Sequence, residues 1–483
     1  MDSKGYRKIF IALLLMWGTL AAQPLIDARG VGLCGTYTVA SRGYQAVGFN
    51  PANLGFVEEV PFSMSLLNSN FMVRNNFITL DLYDRFFTGD PNNPGEALNL
   101  EARVPGKNYT YKTLLKDYIP DSGLLFDMGT NISFPGLNFS WGNYAITSGL
   151  QVFWETNLPR PFFSLMLELN PVGSTYDLSF HQDILIIQNL GFSFAIPFPQ
   201  YKLGFTVKYL AGIGYAAVDS SNGYFHTGTE YIVSESFYQN RQAIGGDGIA
   251  LDIGFTTDRM DKWQFGAAVN NIIGQIYWGR TNYINRNVDW IEAVYPIRNT
   301  LGIPVESGVY SAGSRNYFIV DSVNAQTFFT QPPDSLFKKS SAAIPDSLIG
   351  KFSTNYPAIF RMGAAYFVNP EVTLYLDLST GFSNYYFSRK QWRLSVATEV
   401  THFKYLPLRT GLAWGGEFSP EMSFGIGFAT GWADISLGLR MYGGYSITKA
   451  TGFQVAIGAS FRRLKPIGTP KISDLDADSD TES

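Results

Sequence analysis

Cysteine, charge and long apolar segments are all scarce in this chain of 483 residues. Its single cysteine, Cys34, excludes an internal disulfide. Charged residues make up 16% of the chain, against about 25% in typical soluble domains. The net charge of −4 does not indicate a nucleic-acid partner. After Trp17 no segment reaches the roughly 18 consecutive apolar residues of a membrane helix, which argues against an α-helical membrane protein.

Catalytic and metal-binding patterns are also missing. The histidines are far apart and lack the spacing of metal ligands; they are His181, His226 and His402. Gly30–Gly35 match the glycine spacing of a dinucleotide-binding loop, but Thr36–Val39 favour a strand where that site needs a helix. No Ser/His/Asp or Cys/His signature stands out. We therefore predict no catalytic residues, no metal, no cofactor and no enzymatic activity.

The N-terminus has the pattern of a secretory signal peptide. Three basic residues within positions 4–8 precede an apolar run over 9–17, and the small residues Ala21 and Ala22 suit a cleavage site. We therefore predict that residues 1–22 are a signal peptide and that the protein is exported.

Alternation with the period of a β-strand is abundant. In Gly452–Phe461, bulky apolar residues occupy every second position, and small or polar residues lie between them. The same pattern recurs at 203–209, 249–255, 263–269, 392–400, 408–414 and 435–441. The 48 glycines suit a narrow lumen, and the aromatic content of 16% suits interfacial girdles. These features predict an all-β fold, a transmembrane antiparallel β-barrel.

Connection lengths predict the topology. Short turns at 197–200, 256–262, 369–371, 401–406 and 430–434 alternate with long connections at 84–127, 155–183, 216–247 and 272–356. Continuing this alternation of short and long connections back to Phe62 gives about 14 strands, with 16 as the alternative. We predict a barrel over 62–463, extracellular loops at the long connections, and a disordered acidic periplasmic tail over 464–483.

Across the predicted strands, several charged side chains lie on the face opposite the bulky apolar residues. We expect that face to line the lumen, because an arginine facing lipid at the midplane costs roughly 2–4 kcal/mol. These charged residues are Asp252, Arg361, Asp377, Arg393, Glu399, Arg409 and Arg440. Two interpretations are open for them. A network of ion pairs that stiffens the barrel is favoured over a path for a substrate.

The segment after the predicted signal peptide resembles the N-terminal signature of FadL-type outer-membrane proteins, a family that includes the PorV shuttle of type IX secretion. The similar segments are Ala28–Gly32, Gly35–Tyr37 and Asn50–Leu54 (NPANL), followed by Lys116–Gly123, Gly246–Gly254 and Phe265–Asn271. The chain departs from the family pattern at Cys34, Thr36 and Asn53. It is thereby identified as a member of an uncharacterised branch of these barrels.

The resemblance implies a fourteen-stranded barrel with residues 23–61 folded into its lumen as a hatch. In FadL the hatch gates the uptake of long-chain fatty acids. Carried over to this chain, the hatch would include the gating residues Gly30, Gly32, Gly35, Asn50 and Pro51.

The expected function is a hatch-gated channel for passive uptake of small hydrophobic compounds across the outer membrane of a Gram-negative-type bacterium. The expected partners are outer-membrane lipid, the barrel-assembly machinery during biogenesis and a hydrophobic small molecule. The alternative function is a PorV-like scaffold or secretion accessory protein, whose partners would be proteins bound at the extracellular loops.

Overall fold

The computed structural model describes residues 27–87, 100–133, 135–167, 170–229, 232–278, 310–323, 337–344, 352–403 and 405–463. The predicted signal peptide and acidic tail lie outside these ranges.

Within the described residues, nineteen strands form one sheet with antiparallel pairing throughout. They are β1 (Phe62–Asn75), β2 (Leu124–Ser133), β3 (Phe139–Trp141), β4 (Tyr144–Leu158), β5 (Thr175–Asp177), β6 (His181–Pro197), β7 (Tyr201–Thr227), β8 (Ile232–Thr257), β9 (Trp263–Trp278), β10 (Tyr310–Val323), β11 (Phe337–Ile344), β12 (Phe352–Asn355), β13 (Ile359–Asn369), β14 (Val372–Gly381), β15 (Arg393–Val400), β16 (Leu408–Gly415), β17 (Glu421–Ala429), β18 (Ala433–Tyr442) and β19 (Gly452–Arg463).

The sheet closes into a barrel of 14 strands, as predicted. β2 and β3 lie end to end between β1 and β4, and β12 and β13 lie end to end beside β9. β5, β10 and β11 add to the sheet at the end where the long connections lie, called the outer end below. β1 pairs with β19 from Phe62 against Arg463 to Arg74 against Gly452, so no edge of the barrel is left open.

The predicted short turns are confirmed, but one predicted long connection is wrong. Residues 216–247 are mostly strand, because the β7–β8 ladder continues from Ala216 against Gln242 to Thr227 against Ile232. The sequence does not mark this extension, since its residues show no regular apolar alternation. β10 pairs along the same part of β8.

The predicted connection over 272–356 is also partly strand. Tyr277 and Trp278 belong to β9, and Trp278 is fully buried. Much of this connection, including residues 279–309, lies outside the described ranges.

Apolar side chains cover the outside of the barrel, and polar side chains line its interior. Ile249, Leu437 and Ile457 are 53%, 48% and 44% exposed, whereas Asp252 and Arg440 are each 1% exposed. A soluble protein would have the opposite arrangement. The apolar exterior suits contact with lipid hydrocarbon, and the closed ladder satisfies the backbone polar groups without water.

The N-terminal residues 27–60 lie inside the barrel and are called the plug below. The plug contains helix α1 (Ala28–Gly32) and two 3₁₀ helices, η1 (Gly43–Ala46) and η2 (Pro51–Gly55). Helix α1 packs on β16–β19, and η2 packs on β6–β8. Nearly all of residues 27–55 are buried, so this segment fills the part of the lumen nearest the short turns.

Local capping explains why the plug helices begin where they do. The Asp27 side chain accepts a hydrogen bond from the Gly30 amide at 2.7 Å, which caps α1. The Asn50 side chain accepts one from the Ala52 amide at 3.1 Å and caps η2, with Pro51 at the first helical position.

A group of buried apolar side chains, called the upper cluster, occupies the outer half of the lumen. It includes Phe153, Leu185, Trp278, Tyr356, Tyr386 and Phe387. Tyr386 and Phe387 come from the connection between β14 and β15, which folds back into the barrel. The lumen therefore has a polar part around the plug and an apolar part nearer the outer end.

Three short helices lie in the outer connections: α2 (Leu80–Phe87), α3 (Tyr111–Tyr118) and α4 (Arg160–Leu167). Leu82 and Phe86 of α2 pack against Leu115 of α3. No helix in the described part of the chain is long and apolar enough to span a membrane.

The apolar exterior of the barrel predicts that the cost of introducing a charged side chain depends on its depth in the membrane. We expect Ile457→Arg, in the middle of β19, to lower the free energy of unfolding by about 2–4 kcal/mol, because the arginine would face hydrocarbon. Ile447→Arg, at a 60% exposed position in the β18–β19 connection, is the matched control and should change it by less than about 1 kcal/mol. Denaturant titration in lipid vesicles measures both, and equal costs would contradict a lipid-facing β19.

Candidate functional site

Arg29 of the plug is held by a glutamate of the barrel wall. Arg29 donates from Nε and Nη2 to the two carboxylate oxygens of Glu399 at 2.9 and 2.6 Å, and from Nη1 to the Ala40 carbonyl at 2.8 Å. Glu399 also accepts from Arg409 Nε at 2.7 Å. Because a two-point bond between guanidinium and carboxylate sets direction as well as distance, Glu399 anchors α1 on the wall.

A second barrel carboxylate, Asp377 on β14, satisfies the plug backbone. Its Oδ2 accepts from the Tyr37 amide at 2.8 Å, the Thr38 amide at 2.9 Å and the Thr38 hydroxyl at 2.7 Å. These amides belong to no helix or strand, so without Asp377 they would be buried donors without a partner.

Two wall arginines meet at one glutamate beside Cys34. Arg393 donates to Glu421 from Nε at 3.0 Å and from Nη2 at 2.8 Å, and Arg440 donates from Nε at 2.8 Å. Arg393 Nη2 also donates to the Cys34 carbonyl at 2.6 Å. Cys34 is a buried free thiol.

Asn50 ties the other side of the plug to β8. Its Nδ2 donates to the Thr256 hydroxyl at 2.7 Å and to the Phe255 carbonyl at 3.0 Å. The wall is small where this segment passes: a Cβ at Gly204 would lie 2.1 Å from Ala52 N, and one at Gly254 would lie 2.1 Å from Asn50 Oδ1. Glycines in β7 and β8 thus make room for Asn50 and Pro51.

The glycines of the plug also allow close approach. A Cβ at Gly32 would lie 2.7 Å from Gly425 Cα, so the plug backbone touches β17 directly. Gly30 supplies the amide that Asp27 caps. Gly35 has φ +70°, a left-handed conformation suited to glycine, just after α1.

Asp252 and Arg361 have different surroundings from the anchors. Asp252 Oδ1 lies 2.8 Å from Lys208 Nζ and accepts from the Asn271 amide at 2.8 Å. Arg361 has neither a hydrogen bond nor an ion pair within the described residues; its guanidinium lies 4.8 Å from the centre of the Phe49 ring of the plug.

The connection between β14 and β15, residues 382–392, covers the lumen from the outer end. Arg389 Nη2 lies 2.7 Å from Asp127, and its Nε lies 2.6 Å from Glu417. Burial acts to lower the pKa of Arg389, but Asp127, Glu155 and Glu417 together raise it. Arg389 therefore stays charged and holds this connection against β2 and the turn after β16.

The structure divides the predicted lumen charges by what they contact. Glu399, Asp377 and Arg393 hydrogen-bond directly to the plug. Arg409 shares the Glu399 carboxylate with Arg29 of the plug, and Arg440 shares the Glu421 carboxylate with Arg393. No three His, Cys, Asp or Glu side chains within the described ranges are arranged to hold a metal ion.

Further buried charged residues of the barrel were not among those predicted from the sequence, including Glu421, Lys208, Asp127 and Arg389. The alternation of 421–429 would have placed Glu421 in the lumen. Arg389 lies in a connection, where no periodicity shows the direction of a side chain.

The chain matches one family model and is similar to several barrels of known structure. Residues 51–242 match the model of a family of unknown function, DUF5723, in keeping with the prediction of an uncharacterised branch. No curated protein sequence matches the chain.

Among solved structures, the chain is similar to the toluene transporter TbuX of Ralstonia pickettii, with 12% identity, a TM-score of 0.46, and coverage of 91% of this chain and 98% of TbuX. It is similar to the toluene transporter TodX of P. putida, with 11% identity, a TM-score of 0.49, and coverage of 91% and 98%. A FadL homologue of Pseudomonas aeruginosa has 12% identity, a TM-score of 0.43, and coverage of 92% and 99%.

The anchor at Glu399 generates a prediction for plug stability. Glu399→Gln leaves Arg29 and Arg409 without a counter-charge in a buried site, which should weaken the plug by about 3 kcal/mol. We expect faster hydrogen exchange in residues 27–49, with the barrel strands unchanged. Glu371→Gln is the matched control, because Glu371 pairs with His402 at an exposed turn. Unaltered exchange in Glu399→Gln would refute the anchor.

Proposed function

We propose that this chain is an outer-membrane barrel whose plug gates the passage of small hydrophobic compounds. The carrying observation is the upper cluster, an apolar region inside the barrel between the outer connections and the polar plug. A barrel with a purely structural role needs no apolar interior above a polar plug. A channel for an apolar solute needs such a region, because the solute leaves water there.

The apolar exterior and the predicted signal peptide support the outer-membrane location. No helix is needed to hold such a barrel in lipid, because the closed ladder pairs its backbone internally. The charged side chains of Glu399, Asp377 and Arg393 face inward and hold the plug. Their role is therefore in gating, and they do not face lipid.

The packing of the upper cluster suggests how a solute enters. Phe387 and Tyr386 pack on Phe153 with ring centres 5.1 and 5.3 Å apart, and Tyr356 packs on Phe387 at 5.5 Å. Tyr386 and Phe387 lie on a connection rather than on a barrel strand. Moving this connection outward would open the cluster, and a small apolar molecule could then pack on Phe153 and Tyr356 in place of the two displaced rings.

The contacts of the plug suggest how the solute continues. The bonds described above between plug and wall are polar and noncovalent, and water can replace each of them. Displacing α1 from β16–β19 would join the upper cluster to the periplasmic end. The wall residues facing α1 include Gly425 and Gly438, which place no side chain in its path.

A reversible lock tests the gate. Ser423 on β17 donates to the Gly32 carbonyl at 2.8 Å, and Cys34 Cβ lies against Gly411, the residue directly opposite Ser423 on β16. In Ser423→Cys, oxidation should join the two sulfur atoms and hold the plug on the wall. We expect uptake of a small hydrophobic fluorescent probe into liposomes to fall at least about tenfold on oxidation and to return on reduction.

Two further variants complete the test. Ser423→Ala cannot form the bond and should show the same uptake under both conditions. Deletion of residues 28–53 should raise uptake above that of the intact protein, because the lumen beneath the upper cluster would be empty. If the locked, reduced and deleted forms all admit the probe at the rate of empty liposomes, the channel proposal fails.

The second candidate is a scaffold or secretion accessory protein. The observation that favours it is the apolar exposure of the outer helices: Leu80 and Tyr83 of α2 are 44% and 50% exposed, and Met166 of α4 is 68% exposed. A stoichiometric protein partner after crosslinking in the outer membrane, lost in a Tyr83→Ser and Met166→Ser double variant, would favour this candidate over the channel.

A further inference from the structure

A cavity lies between the plug and the connection that covers it. Its empty volume is about 620 Å³, including space open to solvent. Gly35 of the plug forms part of its floor, and Arg389 and Phe387 of the β14–β15 connection form part of its roof. This cavity is separate from the anchors at Glu399 and Asn50, and its lining is rich in charged side chains.

Arginines dominate the lining of the cavity. Arg74, Arg361, Arg389 and Arg393 line it directly, together with Glu417 and Glu421. Arg74 and Arg389 pair with Asp127 at 2.8 and 2.7 Å, Arg389 also pairs with Glu417, and Arg393 pairs with Glu421. Every arginine of the lining except Arg361 therefore has a carboxylate.

Arg361 is a buried cation without a counter-ion in contact. It is 6% exposed, and its Nε has no hydrogen-bond partner. Asp377 and Asp252 attract it only from beyond ion-pair distance, and Asp377 Oδ2 is occupied by three plug donors. An arginine keeps its charge in proteins, and a buried charge without a partner costs several kcal/mol.

The register of the sheet places Arg361 in a row that suits an anion. Arg361 on β13 lies directly opposite Ser379 on β14, and Ser379 lies directly opposite Arg393 on β15. All three residues line the cavity. Side chains directly opposite on neighbouring strands are about 5 Å apart at Cβ, so the Cβ atoms of Arg361 and Arg393 lie roughly 10 Å apart with Ser379 between them.

We propose that this row is a binding site for an oxyanion, a carboxylate or phosphate group that bridges Arg361 and Arg393 above Gly35. Planar guanidinium donors match the two oxygens of such groups. The absence of a side chain at Gly35 leaves space for the anion beneath, and the Ser379 hydroxyl supplies a central donor. The site goes beyond passage of hydrophobic compounds, because its lining selects charge rather than apolar surface.

Titration calorimetry with inorganic phosphate and with acetate, on the full-length protein in a neutral detergent at constant ionic strength, tests the site. We expect saturable binding of at least one of these anions and a rise in melting temperature. Arg361→Gln should weaken the affinity at least about tenfold, as expected for loss of a charged donor, and Arg361→Lys should retain part of it.

Controls separate the site from general effects of charge. Arg259→Gln removes an arginine at an exposed turn of the opposite end and should bind as the intact protein does. Heat-dependent migration in gels checks that each variant remains a folded barrel. Octyl phosphate distinguishes the source of the anion: binding much tighter than that of phosphate means an amphiphile head group, and equal binding means a free solute. Both results support the site.

The proposal is overturned if the intact protein binds neither phosphate nor acetate at concentrations of about 10 mM. It is also overturned if a folded Arg361→Gln variant binds them as tightly as the intact protein and as Arg259→Gln. Neither result affects the uptake experiment with the locked plug, so failure of the anion site and failure of the channel are distinguishable.

Discussion

The rest of the structure depends on one electrostatic constraint: a charge on a membrane barrel turns inward, and most such charges here are met by an opposite charge. Glu399 faces the lumen with Arg409, and the plug adds Arg29 to the pair. Glu421 joins Arg393 and Arg440 in the same way. Because buried carboxylates and guanidinium groups are costly when unpaired, these sites hold the plug as firmly as they hold the wall.

The second constraint is space. The lumen holds both the arginine side chains of the wall and the plug backbone at the same depth. The wall therefore needs residues without side chains where the plug approaches it, and these are Gly204, Gly254, Gly425 and Gly438. Where the plug ends, larger apolar residues take over and form the upper cluster. The division of the lumen into a polar and an apolar part thus follows from where the plug lies.

Much of the fold could be predicted from the sequence, and the candidate site only in part. Alternation predicted the strands, their number and the inward direction of residues such as Arg440, because one face of each strand must suit lipid. The same rule failed at 216–247, where β7 and β8 continue past the end of β9 and the sequence shows no regular apolar alternation. It could not place Arg389 either, since a residue in a connection follows no period.

By itself, the sequence determined the barrel, its closure by an even number of strands and the inward direction of many charges on the strands, since lipid on one face constrains every second residue. The tertiary structure alone decided which charges meet. Arg29 and Glu399 are 370 positions apart, and no periodicity links them. It also decided that Arg361 meets none, because partners across a lumen depend on how the plug packs against the closed sheet.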